Sequence, residues 1–111
     1  MFKRITSDSN PKIKRIKELS RKKYRDKYGE YVIEGSKIIE HAVETGAKLT
    51  SIFITEDFYN HSGENSILRD VFEKMETYIV PEKLFKEIST TDTPQGILGI
   101  VKKEDFQLED I

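Results

Sequence analysis

The residues of this chain best suited to binding a ligand are cations, and they are concentrated at its N-terminus. Residues 1–28 contain eleven lysines and arginines but only three acidic residues, a net charge of +8. Residues 29–111 contain eight basic and seventeen acidic residues, a net charge of −9, so the whole chain carries only −1. Such a basic segment attracts polyanions, whose phosphates its side chains can bind. The pattern predicts a positively charged arm on an acidic body.

A helix is expected to carry most of these cations. Asn10 is a favourable N-cap, Pro11 suits the first helical turn, and apolar residues then recur at a spacing of three. The predicted helix runs from Pro11 to about Lys22. Its cations form one continuous face opposite the apolar stripe, made by Lys14, Arg15, Lys17, Arg21 and Lys22. If the helix continued ideally, Lys23 would point towards the core, so the helix must end or bend before it.

Two roles are open for this basic face, a solvated surface and a nucleic-acid contact. An ordinary solvated face mixes charges, because opposite charges four residues apart stabilise a helix. Here only Glu18 interrupts the cations, and Lys22-Lys23-Tyr24-Arg25 extends them, which favours the phosphate backbone of RNA or DNA as the partner. Tyr24 and Tyr28 would either stack on unpaired bases or pack against the protein. Tyr31, in a predicted strand, is expected to pack in the core.

A second anion contact is predicted where a strand passes into a helix, at Gly35 and Lys37. Free N–H groups and a cation in the first turn of a helix attract anions together, so Lys37 would hold a phosphate. The alternative is a surface ion pair with Glu34 or Glu40. Further on, the turn Thr91-Asp92-Thr93-Pro94-Gln95-Gly96 has the composition of a structural loop, although its glutamine could reach a base edge.

The rest of the chain alternates between short apolar runs and amphipathic segments, which predicts strands alternating with helices. Strands are expected at 31–34, 50–55, 77–80 and 96–101, and helices at 35–46, at 64–75 and after Pro81. The first of these helices is expected to bury Ile38, Ile39, Ala42 and Val43. Such alternation requires crossover connections, and hence a mostly parallel sheet covered on both faces. The expected fold is a small three-layer α/β/α sandwich.

Composition and the absence of certain motifs exclude several classes of function. Without cysteine the chain has no disulfide, thiolate chemistry or zinc knuckle, and its two histidines are isolated. No apolar run approaches the roughly 20 residues of a membrane span, and the N-terminus lacks the apolar core of a signal peptide. A cytoplasmic protein without membrane contact is therefore expected. Neither a glycine-rich phosphate loop nor a set of nucleophile and base is recognisable, so no catalytic residue and no metal site are predicted.

Five short motifs occur in an order that is specific in combination. They are Ile5-Thr6-Ser7, Asn10-Pro11-Lys12-Ile13-Lys14, Leu19 with Lys23 and Arg25, Tyr31-Val32-Ile33-Glu34-Gly35-Ser36-Lys37, and Thr93-Pro94-Gln95-Gly96-Ile97. In this order they resemble the N-terminal substrate-binding domain of the SpoU/TrmH family of RNA 2′-O-ribose methyltransferases, over essentially the whole chain. The resemblance implies a fold similar to that of the kink-turn-binding ribosomal proteins, which agrees with the predicted sandwich.

The resemblance also implies a division of roles along a longer protein. Residues 1–101 would form the RNA substrate-binding domain, and residues 102–111 would start a linker to a catalytic domain outside this chain. That domain would bind S-adenosylmethionine in a trefoil knot, form a homodimer and methylate a ribose 2′-hydroxyl. The piece described by this sequence would be a monomer without a cofactor. Its partner is expected to be structured RNA, ribosomal RNA before transfer RNA.

Recognition residues carry over from the resemblance, whereas catalytic residues do not. With the basic helix, the matching positions predict the RNA contacts Asn10, Lys14, Lys17, Arg21, Lys22, Lys23, Arg25, Gly35, Lys37 and Gln95. Asn10 and Gly35 are expected to shape the backbone. Two other functions stay open at this point. One is a free-standing RNA-binding module of the kink-turn type, and the other is a protein-interaction domain that uses the acidic surface of residues 29–111.

Overall fold

The structure, a computed structural model, describes residues 2–62 and 65–103. In these ranges the strands are β1 (Phe2–Arg4), β2 (Glu30–Glu34), β3 (Lys48–Ile54), β4 (Glu76–Ile79) and β5 (Ile97–Lys102). The helices are α1 (Pro11–Glu18), α2 (Lys22–Tyr28), α3 (Ser36–Glu44), α4 (Glu56–His61), α5 (Ser66–Lys74) and α6 (Glu82–Ile88). Across the same ranges, every helix is too short or too polar to span a bilayer.

The five strands form one mixed sheet in the order β1-β4-β3-β5-β2. β4 is parallel to both of its neighbours, whereas β5 lies between β2 and β3 and is antiparallel to both. The prediction of a mostly parallel sheet is therefore wrong for β5. The chain returns from α6 at the edge where β2 and β3 end, so that β5 begins beside Gly35 and Thr55 and runs in the opposite direction.

Helices cover both faces of this sheet, which confirms the predicted α/β/α sandwich. On one face, α1 and α6 pack around Phe53 and Leu98. On the other face, α3 and α5 pack around Ile52 and Ile97. All four side chains are fully buried. Because neighbouring residues of a strand point to opposite faces, each of these adjacent pairs supplies one residue to each core.

The first helix is shorter than predicted. α1 ends at Glu18 rather than near Lys22, with Leu19 as its C-cap. Arg21 is extended, and α2 begins directly after it. The basic residues consequently lie on two helices, so the prediction of a single continuous basic face is wrong. The predicted break before Lys23 is confirmed.

Side chains fix both ends of α1. At its start, Asn10 Oδ1 accepts a backbone N–H two residues further on at 2.9 Å, which confirms Asn10 as the cap. At its end, Ser20 Oγ donates to the Lys17 carbonyl at 2.8 Å. Arg25 reaches back from α2, and its Nη1 donates to the Leu19 carbonyl at 3.0 Å. These bonds satisfy backbone groups at the helix ends. Spacing within the first helix could not reveal the last of them, because its donor belongs to the next helix.

α3 buries fewer residues than predicted. Ile39 and Ala42 are buried, as expected, but Ile38 is 52% exposed and Val43 is 37% exposed. A helix resting on one side of a sheet buries a narrow stripe, and Ile39 and Ala42 fill it because they lie three positions apart. Ile38 and Val43 flank that stripe, so the prediction that both are buried is wrong.

Besides α2, two short elements have no counterpart in the sequence prediction. β1 has three residues, all exposed, at the edge of the sheet. α4 has six residues and is capped by Thr55, whose Oγ1 accepts the Phe58 N–H at 3.0 Å. Elements this short contain too few turns to show periodicity. The predicted helix start at Glu64 lies outside the described residues, as do positions 104–111 of the predicted linker, whose first residue, Lys102, ends β5.

Candidate nucleic-acid interface

Three of the predicted phosphate-binding cations contact other groups of the protein. Lys17 Nζ lies 3.3 Å from a carboxylate oxygen of Glu87 in α6. Lys22 Nζ lies 2.7 Å from Asp26, and this hydrogen bond lowers the pKa of the Asp26 carboxyl. Arg25 is half-buried and caps α1. Exposed ion pairs of lysine with carboxylates are weak, so a phosphate can replace the partners of Lys17 and Lys22.

Four other predicted contact residues have no carboxylate partner in the part of the chain that the structure describes. Exposed side chains belong to Lys14, Arg21, Lys23 and Lys37, and within the described residues none of them lies within 4 Å of a carboxylate oxygen. The alternative ion pair of Lys37 with Glu34 or Glu40 is absent, and these two carboxylates instead accept hydrogen bonds from Thr90 and Asn65. Because no carboxylate of the described residues neutralises these four charges, they can bind phosphate groups.

Arg15 lies among the predicted basic residues but has a structural role. Its Nη1 donates to Glu30 at 2.6 Å, and its guanidinium carbon lies 3.6 Å from the centre of the Tyr28 ring. The Tyr28 hydroxyl donates to Glu18 at 3.0 Å, a bond that raises the pKa of the phenol. These contacts join α1, α2 and β2. Arg15 therefore positions α2 and the cations that it carries.

Two predicted residues, Gly35 and Gln95, meet at the junction of β2 and α3. Gly35 has a φ of +106°, and its N–H donates to the Ile97 carbonyl at 3.0 Å. Gln95 Oε1 accepts the Ser36 N–H at 2.7 Å and lies 3.7 Å from the position that a Cβ on Gly35 would occupy. Gln95 thus supports the first turn of α3, and its amide nitrogen, which makes no hydrogen bond within the described residues, could contact a base edge.

Glu34 holds the loop that follows α6. Its carboxylate accepts hydrogen bonds from the Ser89 hydroxyl, from the Thr90 N–H at 2.9 Å and from the Thr90 hydroxyl at 3.0 Å. With Gln95, it attaches both ends of residues 89–96 to the β2–α3 junction. Sequence reasoning missed Ser89 and Thr90, because their hydroxyl groups signal a turn but not an acceptor 55 positions away.

A cleft of about 490 Å³, here called the basic cleft, lies between α1, α2, β2 and the end of α6. Lys17 and Arg25 line it from α1 and α2, and Glu87, the ion-pair partner of Lys17, lines it from α6. Val32 contributes from β2, and Ser89 and Thr90 contribute from the loop after α6. Since Glu34 binds this loop and directly precedes Gly35, the basic cleft adjoins the junction that carries Lys37. The structure thus brings the N-terminal cations close to the later motifs.

Removal of the Glu34 carboxylate is expected to release this loop. Glu34→Ala should lower the free energy of unfolding by about 1–3 kcal/mol, because a half-buried acceptor of three hydrogen bonds is lost. Urea denaturation followed by circular dichroism measures the change. Glu44→Ala, at the exposed end of α3, is the control and should change it by less than about 0.5 kcal/mol. Equal values for the two variants would contradict the role of Glu34.

Known proteins are similar to this chain over most of its length. Residues 10–99 match the family described as "MRM3-like substrate binding domain". The chain is 30% identical over 99 residues to "23S rRNA (guanosine(2553)-2'-O)-methyltransferase RlmP" of Bacillus subtilis, a match that covers 89% of this chain and 37% of that protein. It is 32% identical over 84 residues to "rRNA methyltransferase 3, mitochondrial" of Xenopus laevis. That match covers 76% of this chain and 19% of the Xenopus protein.

A solved structure has the same fold. The AdoMet-bound rRNA methyltransferase from Sinorhizobium meliloti superposes with a TM-score of 0.76 and 29% identity, over 99% of this chain and 40% of that one. The chain spans less than half the length of these relatives. The family match includes the motif Asn10-Pro11-Lys12-Ile13-Lys14, the β2–α3 junction and the loop that leads into β5. On this basis the chain belongs to the MRM3-like substrate-binding domains of the SpoU/TrmH rRNA 2′-O-methyltransferases, as its motifs indicate.

Proposed function

We propose that this domain binds folded ribosomal RNA and presents it to a methyltransferase domain in the same polypeptide. The observation that carries the proposal is the basic cleft together with four exposed cations that no carboxylate neutralises within the described residues. These cations are Lys14, Arg21, Lys23 and Lys37. Contacts with phosphates provide a large share of the affinity for nucleic acids, and unpaired cations supply them without first breaking an ion pair.

Two observations favour ribosomal RNA over DNA as the partner. The cations are spread over α1, α2, α3 and the turn between the first two, so no single helix can lay them along a major groove of DNA. Contacts spread over several elements suit folded RNA, which proteins recognise by shape and backbone. In addition, the Bacillus subtilis and Xenopus laevis relatives both carry names that specify rRNA methylation.

We also propose that the complete protein is a cytoplasmic homodimer that uses S-adenosylmethionine to methylate a ribose 2′-hydroxyl. The Sinorhizobium meliloti relative is an AdoMet-bound rRNA methyltransferase. The basic cleft does not suit the positively charged sulfonium group of this cofactor, because Glu87, the acidic residue that lines it, is already paired with Lys17, and Arg25 adds a further positive charge. The chain spans 37–40% of the Bacillus and Sinorhizobium relatives, and we assign the cofactor to the part beyond that match. No step of methyl transfer is assigned to this domain.

A binding titration tests the proposed function. The domain is titrated into fluorescently labelled stem-loop fragments that together cover 23S ribosomal RNA, and into DNA copies of the same sequences. At least one RNA fragment should bind at physiological salt, with log K falling linearly as log salt rises. The DNA copies should bind at least about tenfold more weakly, since they lack 2′-hydroxyls and the A-form shape. Equal affinity for RNA and DNA, or no complex with any fragment, would refute the proposal.

A further inference from the structure

Two aromatic rings of α2 form a row with a cation from α1. The Tyr24 and Tyr28 rings are nearly parallel, with an angle of 19° between them and 6.0 Å between their centres. The Arg15 guanidinium lies 3.6 Å from the centre of the Tyr28 ring. The ion pair of Arg15 with Glu30 fixes this end of the row to β2. The row is therefore attached to the domain at Arg15 and ends at Tyr24.

The two tyrosines differ in what the protein uses of them. Tyr28 packs against the core beneath α1, receives Arg15 on its ring and donates its hydroxyl to Glu18. Tyr24 is half-buried, and its hydroxyl makes no hydrogen bond to any residue that the structure describes. Its packing contact is the ring of Tyr28. Core packing therefore accounts for Tyr28, whereas the Tyr24 ring contacts its neighbours in α2 and joins neither core cluster of the described residues.

Two lysines lie over the Tyr24 ring, and one of them, Lys27, also lies 5.5 Å from the centre of the Tyr28 ring. The Nζ of Lys23 lies 5.3 Å from the ring centre, and that of Lys27 lies 6.0 Å from it. Both side chains are exposed, and across residues 2–62 and 65–103 neither comes within 4 Å of a carboxylate oxygen. An aromatic ring flanked by two such cations has the composition of a nucleotide site, because the ring offers a stacking surface and the lysines offer partners for the phosphates.

We propose that Tyr24 is a stacking platform for one unpaired base of the bound RNA, with Lys23 and Lys27 binding the phosphates on either side of that nucleotide. The base would lengthen the row that Arg15, Tyr28 and Tyr24 begin. This inference rests on the proposed RNA-binding function and adds the chemical class that is recognised, a nucleobase outside a helix. A base within a duplex is already stacked between its neighbours and cannot occupy the position.

Two substitutions of Tyr24 separate stacking from packing. Tyr24→Leu keeps an apolar side chain against Tyr28 but removes the ring, and Tyr24→Phe keeps the ring but removes the unused hydroxyl. The probes are an RNA stem closed by a loop of unpaired adenosines and a blunt RNA duplex with the same number of phosphates. The wild-type domain should bind the stem-loop more tightly than the duplex.

Tyr24→Leu is expected to weaken binding of the stem-loop by about 5- to 150-fold, the usual contribution of one base stacked on an aromatic ring. Its affinity for the duplex should stay within about twofold of wild type, which also shows that the variant is folded. Tyr24→Phe should bind both probes as the wild type does. The inference is overturned if Tyr24→Leu binds the stem-loop normally or weakens both probes equally. If the wild-type domain binds a 23S fragment but neither probe, this inference alone is overturned; if it binds no RNA at all, the proposed function fails with it.

Discussion

Replacing Gly96 with alanine is expected to lower the free energy of unfolding by about 2–5 kcal/mol. Gly96 has a φ of +105°, where a Cβ atom is strained, and a Cβ there would lie 2.7 Å from Thr55 Oγ1 and 3.1 Å from the Phe58 Cβ. Thr55 Oγ1 cannot yield without cost, because it caps α4 by accepting the Phe58 N–H. The strain would act where the loop held by Glu34 passes into β5. Urea denaturation measures the loss.

Gly46→Ala is the matched control for this prediction. Gly46 also has a positive φ, +79°, but a Cβ added there would meet no atom within 4 Å. Its substitution should therefore cost only the conformational strain, about 1–2 kcal/mol. The difference in unfolding free energy between the two variants measures the cost of the contact with Thr55. If both substitutions lower the free energy of unfolding equally, the close packing around Gly96 does not contribute to stability.

Neutralising two unpaired cations is expected to weaken RNA binding about 40-fold at 0.1 M salt. The variant combines Lys14→Gln with Lys23→Gln, two exposed side chains to which no carboxylate among the described residues is bound. Each phosphate contact contributes about 0.7–0.9 to the slope of log K against log salt, so losing two should lower the slope by about 1.4–1.8. Titrations at several salt concentrations, with an RNA fragment that the wild-type domain binds, measure both quantities.

Two comparison variants show whether the position of the charge matters. Lys17→Gln with Lys22→Gln removes the same amount of charge, but from residues that Glu87 and Asp26 already neutralise. Its RNA affinity should therefore fall less than that of the Lys14 and Lys23 variant. Lys74→Gln removes a charge that is paired with Asp70 at 3.0 Å, at the end of α5 on the opposite face of the sheet from α1, and should leave the affinity for RNA within about twofold of wild type. Equal losses per charge in all three variants would mean that net charge alone governs binding.

Periodicity in the sequence was a reliable guide where one face of an element is buried. Ile13, Ile16 and Leu19 recur at helical spacing and are all buried, and the apolar run around Phe53 is a strand. The same reasoning failed at Ile38, because spacing cannot tell which of two adjacent apolar residues faces the sheet. It also failed for the direction of β5, since antiparallel insertion depends on where the loop after α6 returns to the sheet.

The candidate site shows the same division between local and distant information. The capping role of Asn10 was predictable, because its partner lies two positions away. The role of Gln95 at the start of α3 was not, because its partner is 59 positions distant. Likewise, the motif around Gly35 identified Glu34 only as a matching residue. That its carboxylate holds the loop at Ser89 and Thr90 follows from the sheet, which places the end of β2 beside the end of α6.

By itself, the sequence determined the basic arm, the α/β class and the order of motifs that marks the family, because composition and local periodicity do not depend on distant contacts. Only the tertiary structure decided which cations are neutralised. Lys17 meets Glu87, 70 positions away, whereas Lys14 meets no carboxylate among the described residues. Phosphate binding depends on charges left unpaired after folding, and pairing is set by the packing of helices that the chain joins from remote positions.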